Sequence, residues 1–315
     1  MFFWICRVRG SSQLSEKKWL QKNLLFRAYF FRNASLIAVV TAVVLKISIL
    51  AWSGPAAAQS SEAGLAAASQ NPVADLISLP FQNNTLFGLG DSDETANVLN
   101  IQPVIPLDVG NWNLINRTIV PVIYFPGITI DLPTIPGEPE APTSIVVDST
   151  LGLGDINHTT YLSPANPGRL IWGVGPSVNL KTATDDRLGS GKWSAGPSAV
   201  FLVQPAPWTI GVLMRQLWSF AGDSSRDDVN HFLMQPFVNY NMKNGWYLVS
   251  SPIITANWDE DDKWLVPVGG GVGRIFRIGR QPVNATVQAY SNVIRPDLAP
   301  EWSLRAQMTF LFPTN

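Results

Sequence analysis

Alternation of apolar and polar residues with a period of two most constrains the fold of this chain. About twelve such segments follow one another along the sequence, at 75–83, 97–106, 112–124, 150–162, 170–181, 192–204, 207–220, 230–242, 245–258, 263–276, 281–294 and 301–312. A period of two places successive side chains on opposite faces of a strand, and these lengths suit tilted strands of about 9–11 residues that cross a membrane. We therefore predict an all-β fold: a transmembrane antiparallel up-and-down β-barrel of about 12 strands over residues 75–312.

The connections between these segments alternate between two kinds. One set is short and turn-like, as in Asp108–Asn111 and Lys243–Gly245. The other set is longer and acidic, and it comprises 84–96, 125–149, 182–191, 221–229, 259–262 and 295–301. In an up-and-down topology each set falls on one rim, so the sequence predicts short turns at one end of the barrel and long loops at the other. Outer-membrane barrels have this asymmetry.

The nine tryptophans after residue 58 stand near the ends of the predicted strands. Four tryptophans stand beside the short turns: Trp112, Trp172, Trp208 and Trp246. Five stand beside the long loops: Trp193, Trp218, Trp258, Trp264 and Trp302. Membrane barrels carry such aromatic girdles at both water–lipid boundaries. The alternative, a soluble β-sandwich, would place its tryptophans at strand centres.

The first 58 residues differ in charge from the rest. They hold eight basic residues and one acid, although the whole chain is close to neutral with 22 Lys+Arg against 23 Asp+Glu. A basic region, the apolar stretch Leu36–Trp52 and the small residues Ala56–Ala58 form the pattern of an export signal. We expect a signal peptide with an extended n-region over 1–58, cleaved near Ala58, and a periplasmic lead-in over 59–74. An uncleaved membrane anchor is the alternative.

Composition excludes several classes of function. A net charge of −1 argues against a nucleic-acid partner. The single cysteine, Cys6, lies in the predicted signal peptide, so the mature chain would hold neither a disulfide nor a thiol nucleophile. The glycine run at 269–273 has Arg274 where a dinucleotide fingerprint needs its third glycine. We expect neither a cofactor nor a metal, and interpret the acidic run Asp259–Asp262 as a solvated loop.

The interior face of the predicted barrel supplies the candidate functional residues. A charged side chain facing lipid at the bilayer midplane costs about 2–4 kcal/mol, so mid-strand Arg215 should face the lumen. The same alternation gives the full set of pore-lining candidates: Arg117, Arg215, His231, Gln235, Asn239, Asn284, Gln288, Tyr290 and Arg305. Such a lining forms either a permeation path or a closed hydrogen-bonded core, and both remain open at this stage.

Enzyme activity is the least favoured function. Some outer-membrane phospholipases use a Ser–His–Asn set on the outer face of the barrel. The nearest match in this chain is Asn157–Thr160, where His158 is followed by threonines instead of a serine nucleophile. We expect no enzyme activity.

Several segments resemble one bacterial family. They are Asn71–Asn84, Leu99–Pro106, Thr182–Asp186, Leu188–Trp193 and Gln235–Asn241. These segments are similar to a family of outer-membrane barrels that are labelled transporters and often mislabelled "neuromedin U", akin to barrels of the phenol meta-pathway. The resemblance covers about 71–312. It implies an outer-membrane barrel and uptake of small, hydrophobic or aromatic molecules, and it supplies no catalytic residues.

The sequence thus predicts a passive outer-membrane channel or transporter for small solutes. Its expected partners are outer-membrane lipids and lipopolysaccharide, the barrel-assembly machinery and a small-molecule solute. A non-conducting structural or partner-binding barrel is the alternative, and a barrel lipid hydrolase is a less favoured one.

Overall fold

The structure, a computed structural model, describes residues 62–90, 93–131 and 144–313. The predicted signal peptide and the proline-rich segment 133–143 lie outside the described residues. The described residues form one α-helix, α1 (Glu62–Ser69), and these strands: β1 (Leu76–Leu89), β2 (Glu94–Ile101), β3 (Val104–Asp108), β4 (Trp112–Phe125), β5 (Ile128–Asp131), β6 (Ser144–Val147), β7 (Thr150–Leu153), β8 (Ile156–Pro164), β9 (Leu170–Leu180), β10 (Lys192–Val203), β11 (Trp208–Gly222), β12 (Asn230–Asn241), β13 (Trp246–Ser250), β14 (Ile254–Asn257), β15 (Trp264–Ile278), β16 (Gln281–Ile294) and β17 (Trp302–Pro313).

The strands close into one antiparallel barrel with twelve positions in its wall. Each position, here called a stave, is one passage of the chain along the wall and consists of one strand or of two consecutive strands. Three staves are each made of two consecutive strands, β2 with β3, β7 with β8, and β13 with β14. The barrel closes where β1 pairs with β17, from Leu76 opposite Pro313 to Phe87 opposite Trp302. Strands β5 and β6 form a separate hairpin. The prediction of a twelve-stranded up-and-down barrel is confirmed.

The outer face of the barrel is apolar because the alternation directs polar side chains inward. On β17, Trp302, Leu304 and Met308 point outward and are exposed, whereas Arg305 and Thr309 point inward and are buried. An outward apolar band with an inward polar face is the pattern of a barrel that stands in lipid.

The first hairpin is longer than the sequence indicated. Residues 84–96 were expected to form a loop, but β1 continues to Leu89 and β2 begins at Glu94. The outward polar residues Asn83 and Asn97 lie diagonally across the two strands, and each side-chain amide donates to the other's carbonyl oxygen at 2.8 and 3.0 Å. Asn97 also donates to the hydroxyl of Thr85, the residue opposite it, at 3.1 Å. Because these polar groups bond each other, the strands stay paired where the sequence is typical of a loop.

Residues 62–74 occupy the short-turn end of the barrel, where they contact inward-facing side chains. Leu65 of α1 packs in a buried cluster with Tyr247 and Ile275. Val73 packs in another with Tyr161 and Leu202. These residues belong to the expected lead-in 59–74, whose earlier part lies outside the described residues. The segment narrows the lumen at this end.

The loop between β9 and β10 is fixed over the other end by one buried carboxylate. Asp155 accepts hydrogen bonds from the backbone N–H groups of Thr182, Ala183 and Ser190 at 3.2, 3.2 and 2.7 Å, and from the Ser190 hydroxyl at 2.9 Å. In the same loop, hydrogen bonds from Arg187 hold the pKa of Asp185 below its usual range. The β9–β10 loop is therefore held in one conformation above this end of the lumen.

Closure of the barrel predicts heat-modifiable electrophoretic mobility. All twelve staves are hydrogen-bonded to a neighbour on both sides, so the sheet has no unpaired edge strand at which unfolding in SDS can begin. We expect unboiled protein to migrate faster than boiled protein in SDS gels. Equal mobility of the two samples would contradict a closed barrel.

Removal of the Asp155 carboxylate should loosen the β9–β10 loop. Asp155→Ala leaves the backbone N–H groups of Ala183 and Ser190 without their acceptor, while that of Thr182 keeps its bond to Leu180. Trypsin should therefore cleave after Arg187 several-fold faster than in the parent protein. Asp227→Ala, at an exposed position in the next long loop, serves as the control. Equal cleavage rates in Asp155→Ala and the parent would show that the carboxylate does not hold the loop.

Candidate functional site

The lumen contains a cavity of about 320 Å³ towards the long-loop end, here named the long-loop cavity. Its wall mixes aliphatic, amide and charged side chains drawn from most staves of the barrel. The charged members are Asp155, Arg215 and Arg305. Because inward residues come from strands that are far apart in sequence, only closure of the barrel brings these groups together.

A second cavity, the short-turn cavity, lies towards the opposite end and measures about 200 Å³. Residues 68–72 form part of its wall, together with inward side chains of β12, β16 and β17. Gln82 lines both cavities, which places the two spaces next to each other along the lumen. Among the described residues the lumen thus includes two small adjacent spaces.

The structure places all nine pore-lining candidates at the walls of these cavities. Those at the long-loop cavity are Arg215, His231, Tyr290 and Arg305. Those at the short-turn cavity are Arg117, Gln235, Asn239, Asn284 and Gln288. Their role in permeation stays a prediction.

A hydrogen-bonded layer around Arg305 separates the two cavities. The Arg305 guanidinium donates to Asn84 Oδ1 at 3.1 Å and, past β16 and β15, to the carbonyl oxygen of Ser251 at 2.9 Å. It also lies over the ring of Tyr290, 5.0 Å from the ring centre. The Ser251 hydroxyl donates to Gln288 Oε1 at 2.9 Å. These bonds fix a charged side chain between residues that line one cavity and residues that line the other.

Two other inward arginines differ in their surroundings. Arg117 donates to Gln102 Oε1 at 2.6 Å. Arg215 stands opposite Ser198 on β10 and Leu233 on β12, and its buried Nε has no hydrogen-bond partner among the described residues. Arg215 is therefore the less satisfied of the two cations.

Sequence reasoning missed several residues of the lumen wall. Ser251 lies in the break between β13 and β14, where alternation stops, so no periodic signal identifies it. Asp155 lies in the break between β7 and β8 for the same reason. Gln82 and Asn84 both follow the alternation of β1. Gln82 lies in the predicted strand 75–83 but was not among the pore-lining candidates, and Asn84 fell in the segment 84–96 that was interpreted as a loop.

The nine girdle tryptophans all lie on outward positions near strand ends. At the short-turn end Trp112 packs edge-to-face against Trp172, with ring centres 5.9 Å apart. At the long-loop end Trp258 and Trp264 pack in the same way at 5.5 Å. The structure thus has an aromatic cluster at each rim of the outer surface.

His158 lies on the outer face within a polar quartet formed by Asn116, Thr118, His158 and Thr160. Its Nδ1 is 3.0 Å from Thr118 Oγ1, and its Nε2 is 3.2 Å from Thr160 Oγ1. The Thr160 hydroxyl donates to Asn116 Oδ1 at 2.8 Å. Each member of the quartet has a partner within it, so the group satisfies itself on an otherwise apolar surface.

No family model matches the chain, and no curated protein matches it. Among solved structures, an outer membrane channel from Pseudomonas putida F1 aligns with a TM-score of 0.54 and 14% identity, over 75% of this chain and 94% of that chain. Outer membrane phospholipase A from Escherichia coli (TM-score 0.40, 11% identity, 75% of this chain and 92% of that chain) and a Pseudomonas aeruginosa FadL homologue (0.38, 11%, 76% and 75%) are more distant. The chain therefore has the fold of an outer-membrane β-barrel.

Proposed function

We propose that this protein is a passive outer-membrane channel for small solutes. The observation that carries the proposal is the pair of adjacent cavities inside a closed barrel, with a single hydrogen-bonded layer at Arg305 between them. A solute would enter at the long-loop end, pass this layer and leave beside residues 68–72. Selectivity would come from the narrow lumen and from its charged and amide groups.

The membrane setting is inferred from the outer surface. The aromatic clusters lie at both rims, and the surface between them is apolar apart from polar groups that bond one another, which suits a bilayer. We infer that the chain is exported, cleaved near Ala58, inserted by the barrel-assembly machinery and surrounded by outer-membrane lipids and lipopolysaccharide. The long acidic loops would face outward from the cell, and the short turns the periplasm.

We infer hydrophobic or aromatic solutes within this general function. The long-loop cavity has several aliphatic side chains in its wall, among them Leu86, Ile119 and Leu233, which favours solutes with an apolar body. The sequence resemblance to transporter-labelled barrels akin to those of the phenol meta-pathway supports the same class.

Hydrolysis of lipid esters is not part of the proposal. Thr118 follows the rim residue Trp112 by six residues, which corresponds to a height of roughly 15 Å for a strand tilted by about 40°. The quartet around His158 would then lie near the bilayer centre, far from the ester groups at the headgroup boundary. We expect no hydrolysis of phospholipid esters by the purified protein and no loss of conductance in His158→Ala.

Widening the layer between the cavities should raise the conductance. Arg305→Ala removes the guanidinium that crosses to Ser251, so we expect an increase of about twofold or more in the single-channel conductance in planar bilayers. Leu304→Ala, the outward neighbour on the same strand, should leave the conductance unchanged.

Folding of each variant is checked by its heat-dependent mobility in SDS. If the parent and Arg305→Ala are both folded and neither conducts, the non-conducting, partner-binding barrel becomes the better description.

A further inference from the structure

The charges that line the long-loop cavity are not paired with one another. Its charged side chains are Arg215, Arg305 and Asp155. The ion pairs among the described residues lie at the long-loop end of the barrel, and none of them includes either lining arginine. The cavity therefore has two cations whose charge is not neutralised by a contacting carboxylate in the described part of the chain.

Asp155 is already engaged by the loop above the cavity. Four hydrogen bonds from residues 182–190 reach its two carboxylate oxygens. A carboxylate that accepts this many donors is occupied in holding the loop. The two arginines are therefore the groups that make the net charge of the cavity wall positive.

The two arginines offer different parts of a binding site. Arg305 is fixed by Asn84, Ser251 and the face of Tyr290, so its guanidinium is held in one position. Arg215 has a buried Nε without a hydrogen-bond partner among the described residues. A buried cation without a paired anion is costly, because both its charge and its N–H groups lose water. An anion beside Arg215 would remove that cost.

The aliphatic part of the wall favours an organic anion over a simple inorganic one. Beside amide and hydroxyl groups, the wall includes these aliphatic and proline side chains: Leu86, Val98, Ile119, Pro121, Leu217, Leu233, Ile253, Leu265 and Pro267. A hydrated inorganic ion would leave this surface in contact with water. An organic anion with an apolar body would cover it and gain the free energy of that burial.

We propose that the long-loop cavity is a binding site for small organic monocarboxylates, with the carboxylate at Arg215 and an aromatic or short aliphatic body against the leucine and isoleucine side chains. Guanidinium groups bind carboxylates in a planar, two-point geometry, which suits Arg215 better than a neutral head group would. A volume of about 320 Å³ is at the small end of ligand pockets. The proposal deepens the channel function proposed above, since it names the substrate class of the same lumen.

Three probes separate the contributions of charge and apolar body. Benzoate has both, benzamide has the same ring without the charge, and acetate has the charge without the ring. With the purified full-length protein in detergent, calorimetry should show benzoate binding at least about tenfold more tightly than either of the others. Equal affinities for benzoate and benzamide would overturn the proposal without the use of any variant.

Variants then locate the carboxylate. Arg215→Met should bring the affinity for benzoate down to that for benzamide. Arg215→Lys, which keeps the charge but not the two-point geometry, should give an intermediate affinity. Arg280→Met, which removes the same charge from an exposed short turn, is the matched control and should change nothing. An equal loss in Arg280→Met, or no loss in folded Arg215→Met, would contradict the assignment.

Conductance measured on the same samples distinguishes this proposal from the channel function. If the barrel conducts but benzoate binds no better than benzamide, the monocarboxylate site is wrong and the channel stands. If benzoate binds through Arg215 but no current flows, the site stands and the channel is wrong. Block of the ion current by benzoate, but not by benzamide, would support both.

Discussion

The need to pair every backbone N–H and C=O group determines this structure. In lipid no water can replace a missing partner, so a sheet is stable there only when its first and last strands pair. Here β1 pairs with β17 over almost its whole length. This one strand pair closes the sheet into a barrel, so the side chains of each strand point in turn to an inner and an outer surface. The polar lumen and the apolar exterior both follow from the separation of those surfaces.

The inner surface accumulates the polar groups that the outer surface cannot hold. Arg305 meets Asn84 and Ser251 there although the three come from distant parts of the chain. Twelve strands enclose a space that side chains only partly fill, and what remains is two small cavities. The contrast between the well-bonded Arg305 and the less satisfied Arg215 makes one of these cavities a candidate ligand site.

The sequence was most informative where side chains alternate without interruption. All twelve staves and the inward positions of Arg117 and Arg215 could be predicted from that pattern alone. It failed where strands break, because Ser251 and Asp155 stand between paired segments and follow no period. It also failed between Asn83 and Asn97, because β1 and β2 continue into the predicted loop 84–96, beside the hydrogen bonds that these two amides exchange. The packing of Val73 against Tyr161 and Leu202 depends on closure of the barrel and leaves no local signal.

The central claim is that neighbouring residues of a strand face lipid and lumen in turn. Strand β16 tests it directly through single cysteines, each carrying a spin label, at positions 285–289 in a Cys6→Ser background. In lipid vesicles, labels at Ala285, Val287 and Ala289 should be more accessible to oxygen, and those at Thr286 and Gln288 to a water-soluble nickel complex. Accessibility that alternates with a period of two is the predicted result. Uniform exposure to nickel along the strand would contradict a membrane barrel.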